Sequence, residues 1–99
     1  MESKELILKD LQEKVSIMRE KYNLGNDLNV AYIDLVSELG ELGKELLKGT
    51  DYGTKDFDKT ENLESEIGDV FYSLITISNI LNIDMEKALE DVLKKYEKR

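Results

Sequence analysis

The stretch LVSELGELGKELLK, residues 35–48, decides the fold because its leucines recur at helical spacing. Steps of three and four residues place these leucines in one row along one face of an α-helix. The row consists of Leu35, Leu39, Leu42 and Leu46, with Val36, Gly43 and Leu47 beside it. We therefore predict a helix from about Leu28 to Lys48 that ends at Gly49. Asn26 or Asp27 is expected to cap its start.

Helices are also predicted at the two ends of the chain. The first covers residues 4–22, where the apolar stripe is Ile7, Leu11, Val15, Met18 and Tyr22. We expect it to stop within residues 23–26, because asparagine and glycine permit a left-handed backbone there. The last helix follows Asp84, a good cap, and its apolar residues are Met85, Ala88, Leu89, Val92 and Tyr96.

The third helix is predicted from Asp58 to about Leu81. Asp58 and Glu61 stand at the spacing of a capping box, in which side chains satisfy the first free N–H groups of a helix. Its second half, VFYSLITISNIL at residues 70–81, is apolar nearly all round. Such a helix requires contact on more than one face. We expect it to be the most buried helix and to find part of its contact at a subunit interface.

A loop separates the second and third helices. Residues 49–58 read GTDYGTKDFD, with two glycines and no apolar period. We expect this stretch to be the only long loop and the most mobile element. The predicted fold class is then all-α, with one domain over residues 1–99 built as a four-helix bundle whose middle pair is central.

The composition excludes several kinds of chemistry. The chain contains no cysteine and no histidine, which excludes disulfides, thiol catalysis and the usual zinc sites. A formal net charge of −8 disfavours binding to nucleic acid or to an anionic membrane, since it repels their phosphates. The sequence shows no signal-peptide pattern and no apolar run long enough to span a bilayer, so we expect a cytoplasmic protein.

Carboxylates form two matched pairs on the central helices. Glu38 and Glu41 are three residues apart on the second helix, and Glu45 lies one turn further along the same strip. Glu66 and Asp69 repeat the three-residue spacing on the third helix. Antiparallel packing of the two helices would bring four carboxylates to one seam, where hard cations such as Mg²⁺ or Mn²⁺ offset their repulsion. The alternative is that both pairs are solvated faces of helices rich in Glu and Lys.

Two segments of the chain resemble the MazG-like nucleotide pyrophosphohydrolases. The mark of that family is Glu-Glu-x-x-Glu, a variable gap and Glu-x-x-Asp, which here reads Ser37-Glu38-x-x-Glu41 and Glu66-x-x-Asp69. The resemblance covers roughly residues 30 to 99. It implies an all-α fold that forms homodimers or homotetramers, binds Mg²⁺ through these four carboxylates, and hydrolyses (d)NTP to (d)NMP and pyrophosphate.

The resemblance also bears on the acids next to the motif. Ser37 stands where the family often has its first glutamate, so a supporting role in the outer shell is expected to be lost. Glu38 and Glu41 are then the catalytic carboxylates on the second helix, with Glu45 as a candidate to orient ligands or to act as a base. For Glu45, the alternative is a surface glutamate in a salt bridge.

Four residues are candidates for substrate binding. Lys95 and Arg99 resemble a basic pair that contacts phosphates in the family, although they could equally complement the negative end of a helix dipole. The tyrosine that follows Lys95 departs from an asparagine common in relatives. Tyr52 and Phe57 lie on the loop, where either ring could close over a nucleobase.

Three functions are consistent with these residues. The first is a Mg²⁺-dependent nucleoside triphosphate pyrophosphohydrolase, with removal of noncanonical nucleotides as one role. The second is a relative with the same acids that hydrolyses phosphoribosyl-ATP or dUTP/dCTP. The third is a noncatalytic helical module in which the apolar third helix builds a dimer and the acids are solvated.

Overall fold

The computed structural model of the protein describes residues 7–98, which form four α-helices and no strand. The helices are α1 (Leu8–Lys21), α2 (Leu28–Gly49), α3 (Leu63–Ile80) and α4 (Met85–Glu97). The all-α prediction is confirmed. Residues 4–6 of the predicted first helix lie outside the described residues. Within the described range, no helix is long and apolar enough to cross a bilayer.

The chain divides into two compact units. One comprises the residues up to Asn26 together with those from Ile75 onward, and the other is Asp27–Leu74. The first unit holds α1, α4 and the last turns of α3, and α1 packs against α4. The second holds α2, the loop that follows it and most of α3.

Helix α2 begins and ends where the sequence predicts. The Asp27 carboxylate accepts a hydrogen bond from the Val30 N–H at 3.0 Å, which caps the first turn. After Gly49 the backbone turns through three residues with positive φ, namely Asp51, Tyr52 and Gly53. Asparagine or aspartate adopts this left-handed conformation at little cost, whereas for a tyrosine it is uncommon.

The buried face of α2 differs from the predicted leucine row. Within this chain, Leu39 is 50% exposed and Leu46 is 46% exposed. The positions that turn inward follow a neighbouring line, at steps of four and three residues: Ala31, Leu35, Glu38, Leu42, Glu45 and Gly49. Leu35 and Leu42 of the predicted row lie on this line, whereas Leu39 and Leu46 lie beside it, so the row is only partly buried within this chain. Two of the six inward positions are glutamates.

Helix α3 starts later than predicted. The Asp58–Glu61 capping box does not form, and the helix begins at Leu63. The reason is a competing pairing: the Asp58 N–H donates to the Gly49 carbonyl at 2.7 Å, which holds Asp58 against the end of α2. The Glu66 N–H then donates to the Asn62 carbonyl at 3.0 Å and completes the first turn of α3.

The second half of α3 makes it the most buried helix of the described chain, as predicted. Its buried residues are Ser73, Ile75, Thr76 and Ser78. Phe71 and Leu74 remain 41% and 42% exposed, so part of its apolar surface is not covered within this chain.

The apolar stripes of α1 and α4 are also less buried than predicted. Ile7 and Tyr22 are exposed on α1, and Leu89 and Tyr96 are exposed on α4. Met85 is the member of these stripes that is fully buried. The helix ends agree better with the sequence, because Asn23 takes a left-handed conformation with φ 53° and the Asp84 carboxylate caps α4 at Glu86 and Lys87.

A buried glutamine joins three segments of the first unit. The Gln12 amide donates to Asn79 Oδ1 at 3.0 Å and to the Ile83 carbonyl at 2.8 Å. Its oxygen accepts from the Met85 N–H at 3.0 Å, which is the first free N–H of α4. Asn79 Nδ2 returns a bond to the Gln12 carbonyl at 2.9 Å. One side chain therefore fixes α1 against the corner between α3 and α4.

The Gln12 network predicts a large effect of Gln12→Leu. The substitution keeps the side-chain volume but leaves the Met85 N–H, Asn79 Oδ1 and the Ile83 carbonyl without these partners. We expect a loss of about 2 kcal/mol or more in the free energy of unfolding, measured by urea denaturation at fixed protein concentration. The exposed neighbour offers a control, and Glu13→Leu should change stability by less than about 0.5 kcal/mol. Equal effects of both variants would contradict this account.

Gly49 is the residue of α2 that has no room for a side chain. A Cβ added there would lie 2.5 Å from Phe57 Cε1 and 2.9 Å from the Asp58 carbonyl oxygen. We expect Gly49→Ala to destabilise the protein by about 1–3 kcal/mol, measured by urea denaturation, because backbone must move. Gly43→Ala on the same helix meets nothing within 4 Å and should stabilise it slightly. A neutral Gly49→Ala would contradict the close contact.

Candidate metal centre

Three carboxylates of the second unit meet at one point. Glu38 from α2 and Glu66 and Asp69 from α3 each offer an oxygen, and these oxygens lie within 4.8 Å of one another. Glu38 and Glu66 are half-buried, and Asp69 is exposed. The cluster is therefore open to solvent on one side and bounded by protein on the other.

Helix geometry explains why these three side chains converge. Glu66 and Asp69 are three residues apart, so both project from one side of α3. Glu38 lies on the inward line of α2, between Leu35 and Leu42, which are half-buried themselves. Packing of that line therefore directs the Glu38 carboxylate inward rather than into bulk water.

The cluster raises the pKa of Glu66. Desolvation is the largest cause, and the negative charges of Asp69, Glu38, Glu41 and Glu45 act in the same direction, in decreasing order. Within residues 7–98, no lysine or arginine forms an ion pair with Glu38, Glu66 or Asp69. The site gathers negative charge that the described protein does not neutralise.

The donor set fits a hard divalent cation. All the donors are carboxylate oxygens, which Mg²⁺ and Mn²⁺ prefer over the softer ligands used for zinc or copper. Two oxygens bound to Mg²⁺ at about 2.1 Å lie at most about 4.2 Å apart. The three oxygens, within 4.8 Å of one another, would move closer together around one bound ion. The open side leaves room for water and phosphate oxygens.

Glu41 and Glu45, the other two acids predicted for the site, differ in burial and in their partners. Glu41 is exposed and is not one of the three converging carboxylates, although its charge contributes to the raised pKa of Glu66. Glu45 is only 6% exposed, so it is not the surface glutamate of the alternative interpretation. Its Oε2 accepts a hydrogen bond from Thr60 Oγ1 at 2.8 Å, and Lys48 Nζ lies 3.7 Å from its Oε1.

The predicted substrate-binding residues are placed as follows. Tyr52 is 67% exposed in the left-handed turn after α2, and Phe57 packs its ring edge against Gly49 while remaining 48% exposed. Lys95 belongs to the other compact unit, where its ammonium lies 5.3 Å from the centroid of the Tyr96 ring. Arg99 lies outside the described residues.

Thr60 is the residue of this region that sequence reasoning missed. It contacts Glu45 across fifteen positions of sequence, and a lone threonine in a polar loop carries no pattern that could reveal such a contact. The predicted helix start at Asp58 placed Thr60 inside the third helix. The helix in fact begins at Leu63, so Thr60 lies before it and is free to pair with another segment.

Comparison with known proteins identifies relatives over nearly the whole chain. The family model of the MazG nucleotide pyrophosphohydrolase domain matches residues 27–99. The YpjD protein of Bacillus subtilis is 34% identical over 96 residues, which cover 93% of this chain and 85% of YpjD. That match and the family model both include the two carboxylate motifs.

Two crystal structures resemble this fold. YpjD of Bacillus subtilis, proposed to be a pyrophosphatase, has a TM-score of 0.81 at 32% identity and covers 98% of this chain and 99% of its own. A MazG protein conserved in Bacillus, described as a nucleotide pyrophosphohydrolase, has a TM-score of 0.77 at 32% identity, covering 97% of this chain and 93% of its own.

The raised pKa of Glu66 predicts how metal-free stability depends on pH. The native state holds this proton more tightly than the unfolded state, whose glutamate has its ordinary value of 4.5. The contribution of Glu66 to stability is therefore most favourable below that value and falls as pH rises through the raised pKa. In EDTA, we expect Glu66→Gln to gain Tm relative to wild type as pH increases from about 4 to about 8.

Glu64→Gln is the matched control for this pH experiment. Lys59 donates a hydrogen bond to Glu64 and lowers its pKa, so Glu64 contributes stability above 4.5 that is lost as pH falls. The Tm of Glu64→Gln relative to wild type should therefore decrease, not increase, as pH rises. A pH-independent difference between Glu66→Gln and wild type would contradict the electrostatic description of the cluster.

Proposed function

Since this chain belongs to the MazG family of nucleotide pyrophosphohydrolases, we propose that it hydrolyses nucleoside triphosphates to monophosphate and pyrophosphate with the help of Mg²⁺. The observation that carries the proposal is the convergence of Glu38, Glu66 and Asp69 within 4.8 Å. These residues are three of the four motif carboxylates that this chain carries. Mn²⁺ would serve as an alternative ion at the same oxygens.

The proposed metal ligands are the four motif carboxylates. Glu38, Glu66 and Asp69 already share a point, and Glu41 lies one turn from Glu38 on the same helix. The exposed Glu41 side chain would have to turn toward the cluster to join the other three ligands. Neutralising four carboxylates is a strong reason for this site to bind a divalent ion, because like charges so close together are otherwise unfavourable.

Chemistry at this site requires a nucleophile, a base and stabilisation of negative charge. A bound Mg²⁺ lowers the pKa of water, polarises a phosphoryl oxygen and stabilises the pyrophosphate leaving group. Glu38, Glu41, Glu66 and Asp69 hold the ion, and a carboxylate not engaged in coordination can accept the proton of the attacking water. Ser37 replaces the first motif glutamate, so that residue offers a hydroxyl and no charge to the outer shell.

Residues outside the cluster would bind the rest of the substrate. We propose that Lys95 and Arg99 contact the phosphates, because positive charge is needed to offset the triphosphate. Tyr52 or Phe57 would lie against the nucleobase, since both rings are partly exposed on the loop of the same compact unit as the cluster. We propose that Glu45 helps to orient this region, because its two carboxylate oxygens contact Thr60 and Lys48.

We also propose that the protein acts as a homodimer or homotetramer in the cytoplasm. Large apolar residues remain exposed on each helix, including Ile33, Leu39, Ile67, Phe71 and Leu93. The buried apolar residues among those described are Ala31, Ile75 and Met85. So much exposed apolar surface is unfavourable in an isolated chain and favours association with further copies. The net charge of −8 opposes binding to nucleic acid or to an anionic membrane.

The first experiment is a substrate panel. Purified protein is incubated with each common NTP and dNTP, with dUTP and with modified triphosphates, in the presence and absence of Mg²⁺, and pyrophosphate is measured. We expect Mg²⁺-dependent release that Glu66→Gln lowers by at least about a hundredfold, because it removes a metal ligand. Glu64→Gln, an exposed acid on the same helix, should keep wild-type activity.

The panel also discriminates among the alternatives. Preference for a noncanonical base would support a role in removing such nucleotides, whereas activity confined to dUTP and dCTP, or to phosphoribosyl-ATP, would favour the specialised relatives. If no triphosphate yields pyrophosphate and Mg²⁺ does not raise the Tm, the noncatalytic helical module is the better description.

A further inference from the structure

Glu45 is a buried carboxylate whose two oxygens both have partners. Its side chain is 7% exposed, Oε2 accepts from Thr60 Oγ1 at 2.8 Å, and Oε1 lies 3.7 Å from Lys48 Nζ. A carboxylate in such surroundings needs these partners, because burial without them disfavours its charged form. Glu45 is therefore occupied by protein groups, unlike the three converging carboxylates.

Thr60 lies at the point where the loop leads into α3. Two residues earlier, the Asp58 N–H pairs with the Gly49 carbonyl at 2.7 Å, which attaches the loop to the end of α2. Three residues later α3 begins, and the Leu63 N–H donates to the Thr60 carbonyl at 3.4 Å. Thr60 thus contacts α2 through its hydroxyl and the first turn of α3 through its carbonyl.

This double contact sets the position of α3 along α2. Glu45 lies seven residues beyond Glu38 on α2, and Glu66 lies six residues beyond Thr60. Helices are stiff, so the Thr60–Glu45 bond determines where Glu66 and Asp69 stand relative to Glu38. A shift of α3 by one residue would move its carboxylates by about 1.5 Å. Mg²⁺ demands near-ideal octahedral geometry and tolerates no such shift.

We infer that Thr60 is a positioning residue of the metal site, because its hydroxyl binds Glu45 and thereby aligns the carboxylates of α3 with Glu38 of α2. Glu45 then acts through Thr60 and is not itself a metal ligand. The inference rests on the proposed function, since it concerns the metal affinity of the same carboxylates. It assigns to Thr60, three residues before α3, a role that neither the family motif nor the sequence pattern indicates.

The test measures binding of Mn²⁺ to nucleotide-free protein by electron paramagnetic resonance. Thr60→Val keeps the shape of the side chain and removes the hydroxyl, and we expect its Kd for Mn²⁺ to be about tenfold weaker than that of wild type. Thr60→Ser restores the hydroxyl and should restore wild-type affinity. Thr54→Val is the matched control, because the Thr54 hydroxyl donates to the Asp51 carbonyl within the same loop, away from any carboxylate.

Activity gives a second readout that a purely structural role would not change. In Thr60→Val, the Mg²⁺ concentration for half-maximal pyrophosphate release should rise about tenfold, while kcat at saturating Mg²⁺ stays near the wild-type value. A lower Tm with an unchanged Kd for Mn²⁺ would show that Thr60 merely stabilises the fold, and would overturn the inference.

Substitutions of Glu45 keep the test decisive if Thr60→Val fails to fold. Glu45→Gln retains an oxygen that accepts from Thr60, so it should bind Mn²⁺ nearly as wild type does, whereas Glu45→Leu should weaken binding as Thr60→Val does. Loss of binding in Glu45→Gln as complete as in Glu66→Gln would overturn the inference, because Glu45 would then be a ligand. Wild-type protein that binds no Mn²⁺ would refute the proposed function itself, and unchanged binding in Thr60→Val would refute only the role of Thr60.

Discussion

The inward face of α2 carries two glutamates at positions where a helix of a soluble protein ordinarily buries apolar side chains. Each of these charges has to be compensated, because a buried carboxylate without a partner is unfavourable by several kcal/mol. Glu45 is compensated within the chain, by Thr60 and Lys48. Glu38 instead faces two more acids, Glu66 and Asp69. Along one helical face, one carboxylate is satisfied by protein groups, and the other lies in a cluster of acids that has no cationic partner among the described residues.

The arrangement of the loop follows from this constraint. Its second half is attached to α2 twice, once through the Gly49 carbonyl and once through the Glu45 carboxylate. Its first half, with Asp51 and Tyr52 in the left-handed region, is exposed. The first half is attached to α2 as well, because the Tyr52 N–H donates to the Leu47 carbonyl at 2.7 Å. The loop expected to be mobile is therefore exposed along its length but held to the end of α2 at several points.

Periodicity and capping residues were enough to predict most of the fold. The bounds of α2 and the caps Asp27 and Asp84 could be read from the sequence, because these features depend on neighbouring residues only. The start of α3 could not, since the pairing of Asp58 with Gly49 is a contact between distant residues that outcompetes a local capping box. Which row of α2 faces inward could not be predicted either, because that choice depends on what covers the leucines.

In the site, too, features set by neighbouring residues could be predicted, whereas contacts between distant segments could not. Three-residue spacing placed Glu66 beside Asp69, and the family motif indicated Glu38, whereas nothing local pointed to Thr60. A motif identifies residues that contact a ligand. It says little about residues that hold those side chains in place, because their partners lie on other segments.

The polar character of the buried positions has a consequence for the heat capacity of the protein. Gln12, Glu45, Ser73, Thr76 and Ser78 are buried, so unfolding exposes polar as well as apolar groups. Polar exposure lowers the heat capacity of unfolding and apolar exposure raises it. The interior of one chain therefore contributes a small heat-capacity change and a stability curve that varies gently with temperature. A strongly curved profile would have to originate from the exposed leucines and aromatic rings, once copies of the chain cover them.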